Sequence, residues 1–334
     1  MVIITIKQME LNSNLKKMNY RMTPFIVGLI LLLMITGCGK TSNGGMEEGK
    51  VNVVTTFYPI YEFAQSIGGD NAHVVNLLPV GVEPHDWTPR SQEIVNTSKA
   101  QLFMYNGAGL EGWAPGFLKA LDKDSEVKAV EVSKGVNLIE SDTDHEHEGE
   151  EASTKTDSDQ HHIDPHTWVS PKSAIIMAEN IKNSFIEVDP THQSQYEQRY
   201  QELNDKLMEL NSKFESELAK MPNKEIVVSH QAFGYLTRDY GLTQHSIMGL
   251  SPDAEPRAQD LIELAKLVKE EGIKYIFFEE LVSDRLAKTL AGEAKIKTMV
   301  LNPIEGLTKE QGKNKDNYFT LMEKNLQNLK LALE

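Results

Sequence analysis

Residues 191–220 read THQSQYEQRYQELNDKLMELNSKFESELAK, without a glycine or proline, and Tyr196, Tyr200, Leu203, Leu207, Leu210, Phe214 and Leu218 recur in it at steps of three and four. That period predicts one long amphipathic helix. Asp189-Pro190 stands before it and Pro222 after it, the punctuation expected of helix ends. At 1.5 Å per residue the helix runs about 45 Å, far longer than the ordinary helix of an α/β domain. A coiled-coil arm is the alternative, but a place between two similar halves favours a strut joining two lobes.

The halves share one grammar. Before the strut, the β-branched run Val51 to Phe57, a helix from Tyr61 to Ile67, and strands at His73 to Leu78, Gln101 to Tyr105 and Val127 to Val132 alternate extended and helical pattern. After it come a strand at Glu225 to Ser229, helices at Gln231 to Tyr240 and Arg257 to Glu271, and strands at Lys274 to Phe278 and Lys297 to Leu301. Such alternation predicts an α/β fold of two lobes, each a mostly parallel sheet with flanking helices, joined by one long backbone helix.

With 334 residues, 40 % of them apolar and 25 % charged, the chain is long enough for two packed cores, which excludes a disordered or collagen-like protein. Its net charge of −15 disfavours nucleic acid and anionic lipid as main ligands and favours cations. A single cysteine, Cys38, rules out an internal disulfide.

Lys16, Lys17 and Arg21 precede the apolar run Pro24 to Ile35, which is followed by Thr36-Gly37-Cys38 and a polar stretch. Charge, short apolar core and small residues in that order are a secretion signal, too short for a spanning helix; Met18 and Met22 are alternative starts. Ile35-Thr36-Gly37-Cys38 resembles the bacterial lipobox, which implies lipidation of Cys38 and a protein tethered outside the cell membrane. The expected organisation is a signal segment over 1–37, a tether over 38–50, an amino-terminal lobe over 51–188, a linking helix over 189–221 and a carboxyl-terminal lobe over 222–334. Within the first lobe, 141–162 holds four histidines, eight carboxylates and Ala152 as its one apolar residue, a loop that cannot pack.

Three histidines outside that loop sit in turns after expected strands: His85 in Glu83-Pro84-His85-Asp86-Trp87, His166 in Asp164-Pro165-His166-Thr167-Trp168, and His230 in Ser229-His230-Gln231-Ala232-Phe233. Loops leaving the carboxyl ends of parallel strands converge, so the three are candidate metal ligands. The strand Tyr275-Ile276-Phe277-Phe278 runs into Glu279-Glu280, and Glu279 is the expected fourth ligand. Three imidazoles and a carboxylate form a tetrahedral set suited to Zn²⁺, whereas manganese prefers more oxygen. Trp87 and Trp168 flank proposed ligands, while His73, His192 and His245 are expected to be ordinary. Gly107-Ala108-Gly109 lacks the Lys and Ser or Thr of a phosphate loop, so no nucleotide site is expected.

The Pro84-His85-Asp86 turn, the Asp164 to Trp168 segment, Ser229 to Phe233 and the Phe277-Phe278-Glu279 strand end together resemble the zinc-uptake solute-binding lipoproteins of bacterial ABC transporters, over about residues 50–334. The resemblance implies a metal held between the lobes with two ligands from each: His85 and His166, then His230 and Glu279. Manganese-binding relatives typically carry Glu where His230 stands and an Asp as fourth ligand, in a segment resembling Val282-Ser283-Asp284-Arg285, so Asp284 competes with Glu279 for that role. The resemblance also implies a monomer that partners a permease and its ATPase, and makes His145, His147, His161 and His162 accessory zinc-capturing groups. Competing readings are a manganese-binding protein, a surface metal buffer or adhesin, and a zinc hydrolase. The last is disfavoured because no His-Glu-x-x-His pattern occurs and no general base is evident, Glu280 and Asp284 being the candidates weighed.

Overall fold

The structure is a computed structural model of the protein and describes residues 45–121, 125–141, 162–253 and 256–334. The expected signal, Cys38, His145, His147 and His161 lie outside these residues, and of His162 only its backbone pairing is described.

The first sheet holds β1 (Val51–Thr55), β2 (Ala72–Asn76), β3 (Leu102–Tyr105) and β4 (Lys128–Glu131) in the order β2-β1-β3-β4, all parallel. Around it lie α1 (Tyr58–Gly68), α2 (Ser91–Thr97), α3 (Ala114–Ala120) and α4 (Pro171–Val188). A two-residue antiparallel ladder, β5 (Glu140–Ser141) against β6 (His162–Ile163), closes the base of the acidic insertion. The linking helix is α5 (Gln193–Ala219), entered through a 3₁₀ turn at Pro190–His192.

The second sheet has β7 (Glu225–Val228), β8 (Thr243–Ser246), β9 (Tyr275–Phe278) and β10 (Lys297–Val300) in the order β10-β9-β7-β8, again parallel. Its helices are α6 (Gly234–Tyr240), α7 (Ala258–Glu270), α8 (Arg285–Ala294), α9 (Lys309–Asn314) and α10 (Tyr318–Leu333). Each sheet therefore has a switch point where the strand order reverses, between β1 and β3 and between β7 and β9, and crevices open there at the carboxyl ends. The sequence pattern missed α2, α3 and α4 in the first half and β8, α8, α9 and α10 in the second. It also began α6 too early, because Ala232 N donates to the His230 carbonyl in a tight turn, and helix starts only at Gly234.

Helix α5 serves both sheets. Tyr196, Leu203, Leu207, Leu210, Phe214 and Leu218 are its buried residues; Tyr196 stacks on Phe185 of α4 at 5.0 Å and Phe214 lies 5.3 Å from Tyr240 of α6. Burying a side chain of this size contributes about 1.5–3 kcal/mol, so the stripe outweighs any propensity term. The result is one continuous core that includes Val53 and Leu102 of the first sheet, Ile226 and Phe277 of the second, and Tyr318 and Leu329 of α10. Arg199, from the outer face of α5, donates to the carbonyls of Ile67 at 3.3 Å and Gly68 at 2.8 Å and to Asn71 Oδ1 at 2.7 Å, capping the end of α1.

Candidate metal centre

His85 lies in the turn after β2, which Gly81 N, donating to the Leu307 carbonyl at 2.9 Å, ties to the other half of the molecule. Gly81 has φ +85°, in the left-handed region that suits glycine. The Glu83 carboxylate accepts from His85 N at 2.9 Å and sets the turn.

His166 is fully buried, and Asp164 Oδ1 accepts from its backbone N at 2.9 Å and stands 2.8 Å from its ring Nδ1. A carboxylate there holds the Nδ1–H tautomer and leaves Nε2 to point into the crevice. His230, also fully buried, leaves the end of β7, the strand beside the second sheet's switch point. Its Nδ1 lies 2.7 Å from Glu279 Oε1, which also accepts from Ser229 Oγ.

The three Nε2 atoms converge. His166 Nε2 is 3.1 Å from that of His85 and 3.2 Å from that of His230. Glu305, from the loop after β10, completes the group: its Oε1 stands 3.4 Å from His85 Nε2, 3.4 Å from His166 Nε2 and 3.7 Å from His230 Nε2. A tetrahedral ion with bonds of about 2.0 to 2.1 Å sets its donor atoms about 3.3 Å apart. Five of the six distances among the four atoms, 3.1 to 3.7 Å, lie near that value, and all four atoms lie within 4.8 Å of one another.

Glu279 is not among them, which corrects the sequence expectation. Strand β9 lies directly beside β7, so a carboxylate at its end meets His230 on the Nδ1 side of the ring. The strand one place further out, β10, carries its following loop over the crevice. Asp284 is also absent from the group: it stands at the start of α8, 2.5 Å from Lys288 Nζ. Glu280 turns away, its Oε2 accepting from Asn302 Nδ2 at 2.8 Å and Gln311 Nε2 at 2.5 Å. His73, His192 and His245 pair elsewhere, with Glu47, Asp189 and Glu225.

Electrostatics fit a cation. Glu305 is buried, and its Oε1 has no hydrogen-bond partner, although a buried carboxylate oxygen is costly unless paired. A dication among the four atoms would supply that partner. Without metal, burial pushes Glu305 up, but its contacts with His166 and His85 prevail and hold it well below the usual carboxylate range. Burial on its own would depress His166; its hydrogen bond to Asp164 and the nearby charges of Asp164 and Glu305 outweigh it and raise the imidazole to about 9. A cleft of about 500 Å³ in the turn that carries His85 is lined by Glu83, Asp86, Trp87, Asp253, Leu281 and Val282 among others.

The family described as zinc-uptake complex component A, periplasmic, matches residues 53–332. The high-affinity zinc uptake system protein ZnuA of Bacillus subtilis is 40 % identical over 312 residues, 92 % of this chain and 96 % of that protein. The zinc-binding lipoprotein AdcA of Streptococcus pneumoniae is 40 % identical over 309 residues, 91 % of this chain, which spans only 60 % of that relative's length. Among solved structures, the Zn(II)-bound ZnuA-like domain of S. pneumoniae AdcA is 39 % identical with a TM-score of 0.72, covering 85 % of this chain and 99 % of that one. The metal-dependent lipoprotein YcdH of B. subtilis matches with the same identity, TM-score and coverage. This chain belongs to the ZnuA family of zinc-uptake components.

Proposed function

We propose that the chain is the extracytoplasmic zinc-binding component of an ABC transporter, holding one Zn²⁺ between its lobes on His85, His166, His230 and Glu305 and delivering it to a membrane permease. The convergence of four buried or half-buried donor atoms, five of their six separations between 3.1 and 3.7 Å, carries this reading. The relatives, a zinc uptake system protein and a zinc-binding lipoprotein, support it. Four protein donors close the coordination of a tetrahedral ion, whereas a catalytic zinc keeps one position open, so the site is for holding the ion rather than for catalysis.

The remaining parts follow the same reading. Residues 51–188 and 222–334 are the two metal-binding lobes, with 189–221 linking them. Cys38 is the lipidated anchor that keeps the protein, as a monomer, at the outer face of the cell membrane. A partner ATPase supplies the energy, and the histidines of the acidic loop, His145, His147, His161 and His162, capture zinc weakly in addition to the main site.

The test is metal analysis and competitive zinc titration of the purified protein, with Glu305→Ala, His230→Ala and a deletion of 144–161. One tight zinc per chain, lost in the two point variants and kept without the loop, is the expected result. Tight binding that survives His230→Ala and disappears with the loop would make the protein a surface metal buffer.

A further inference from the structure

The segment that presents Glu305 runs Leu301-Asn302-Pro303-Ile304-Glu305 from the end of β10. Its own half holds it at one end: Asn302 N donates to Asn325 Oδ1 at 2.9 Å, Asn325 Nδ2 returns a bond to the Asn302 carbonyl at 2.6 Å, and Ile304 N donates to Asn302 Oδ1 at 2.7 Å. Ile304 is fully buried with φ +60°, a left-handed conformation that a β-branched residue adopts only when its surroundings impose it. The turn at Ile304 sets the direction of the next side chain, which is Glu305.

The carbonyl side of the peptide between Pro303 and Ile304 is held from the other half. Trp168 Nε1 donates to the Pro303 carbonyl at 2.7 Å in a buried bond. Trp168 follows His166 by two residues, its ring 5.5 Å from the imidazole, and it is fixed edge-on to Phe57 at 4.5 Å. Its own carbonyl accepts from Tyr318 OH at 2.7 Å. One indole N–H therefore joins the rigid frame of one proposed ligand to the strained backbone that aims another, holding the carbonyl of a peptide whose N–H is held by Asn302 Oδ1.

The geometry points to Trp168 as a positioning residue of the metal centre: its N–H holds the 303–304 peptide so that the Glu305 carboxylate lands on the three imidazoles. This rests on the reading of Glu305 as a ligand. A Trp168 that only filled the core would contribute to stability and leave the coordination unchanged.

Trp168→Phe keeps an aromatic ring and removes the N–H, and benzothienylalanine at position 168 removes it with the shape retained, which covers the case in which Phe leaves a disruptive cavity. The readouts are zinc affinity by competitive titration and the visible absorption of the protein loaded with Co²⁺, which is stronger for four-coordinate than for five- or six-coordinate cobalt. Either replacement is expected to weaken zinc binding by roughly 10–100-fold, the range seen when an outer partner of a ligand is lost, and to weaken the cobalt bands as Glu305 drifts and water enters. In a Glu305→Gln background the same replacement is expected to change zinc affinity no further, since its effect passes through Glu305. Wild-type affinity and spectrum with only a lowered melting temperature, or an equal loss in the Glu305→Gln background, overturns the positioning role. Unchanged affinity in Glu305→Gln alone instead removes the ligand reading, and this proposal with it.

Discussion

Glu279 Oε1 lies 2.7 Å from His230 Nδ1, on the opposite edge of the imidazole from the Nε2 that meets the other ring nitrogens. A carboxylate so placed fixes the tautomer and orientation of His230 without touching the ion. Glu279→Ala is expected to weaken zinc binding by about 10–100-fold, and Glu279→Gln by less, because the amide oxygen still accepts from Nδ1–H. Glu305→Ala removes a donor atom and is expected to cost more than either. Competitive zinc titration of the three variants checks the order; Glu279→Ala proving the most damaging would return Glu279 to the ligand set.

Zinc loading should release protons. His166, raised to about 9 in the metal-free protein, carries a proton at neutral pH, and Nε2 must lose it to bind a metal. Calorimetric zinc titrations at pH 7 in two buffers of different ionisation heat are expected to show a proton leaving the protein, a release that fades as pH passes about 9. Equal heats in both buffers would sink the assignment. For the metal-free fold the sign follows from linkage: a histidine whose folded value is raised contributes stability in full below about 6.5, and loses it as pH rises through about 9. The metal-free protein should therefore melt progressively lower across that window, as thermal scans can show.

Gly234 opens α6 beside the carboxylate that orients His166. A Cβ on it would stand 2.3 Å from Asp164 Oδ2, and Asp164 is fully buried with its other oxygen committed to His166. Gly234→Ala is expected to displace Asp164 and weaken zinc binding by roughly 10–100-fold, although position 234 touches no ligand. Zinc affinity equal to wild type in a folded Gly234→Ala protein would show that Asp164 does not orient the ring.

The two halves, the strut and the three histidines that the fold brings together are legible in the sequence because each rests on a local signal. The period of Tyr196 to Leu218 and the place of His230 just after Ile226-Val227-Val228 need no knowledge of neighbours. Choosing between Glu279 and Glu305 needs the lateral order β10-β9-β7-β8, which no local pattern states. The rule that found His230, a polar residue just beyond a strand's carboxyl end, applied equally to the loop after Lys297–Val300, where Asn302-Pro303-Ile304-Glu305-Gly306 stands. Strand β8, Thr243-Gln244-His245-Ser246, was illegible for another reason: at the sheet edge it carries no apolar run or alternation to betray it.

The strut makes a last, separable prediction. Arg199 caps the end of α1 with three hydrogen bonds, two of them to the carbonyls of Ile67 and Gly68 that the helix itself leaves unpaired. Arg199→Ala removes a charge-assisted set and is expected to lower stability by about 1–3 kcal/mol, read as a shift of the denaturation midpoint. Its contacts lie on the outer face of the first lobe, among Ile67, Gly68 and Asn71, and none reaches a proposed ligand. Zinc affinity should therefore stay unchanged, in contrast to Gly234→Ala. A loss of affinity in Arg199→Ala would instead mean that the packing of α5 against α1 helps to set the distance between His85 and His230.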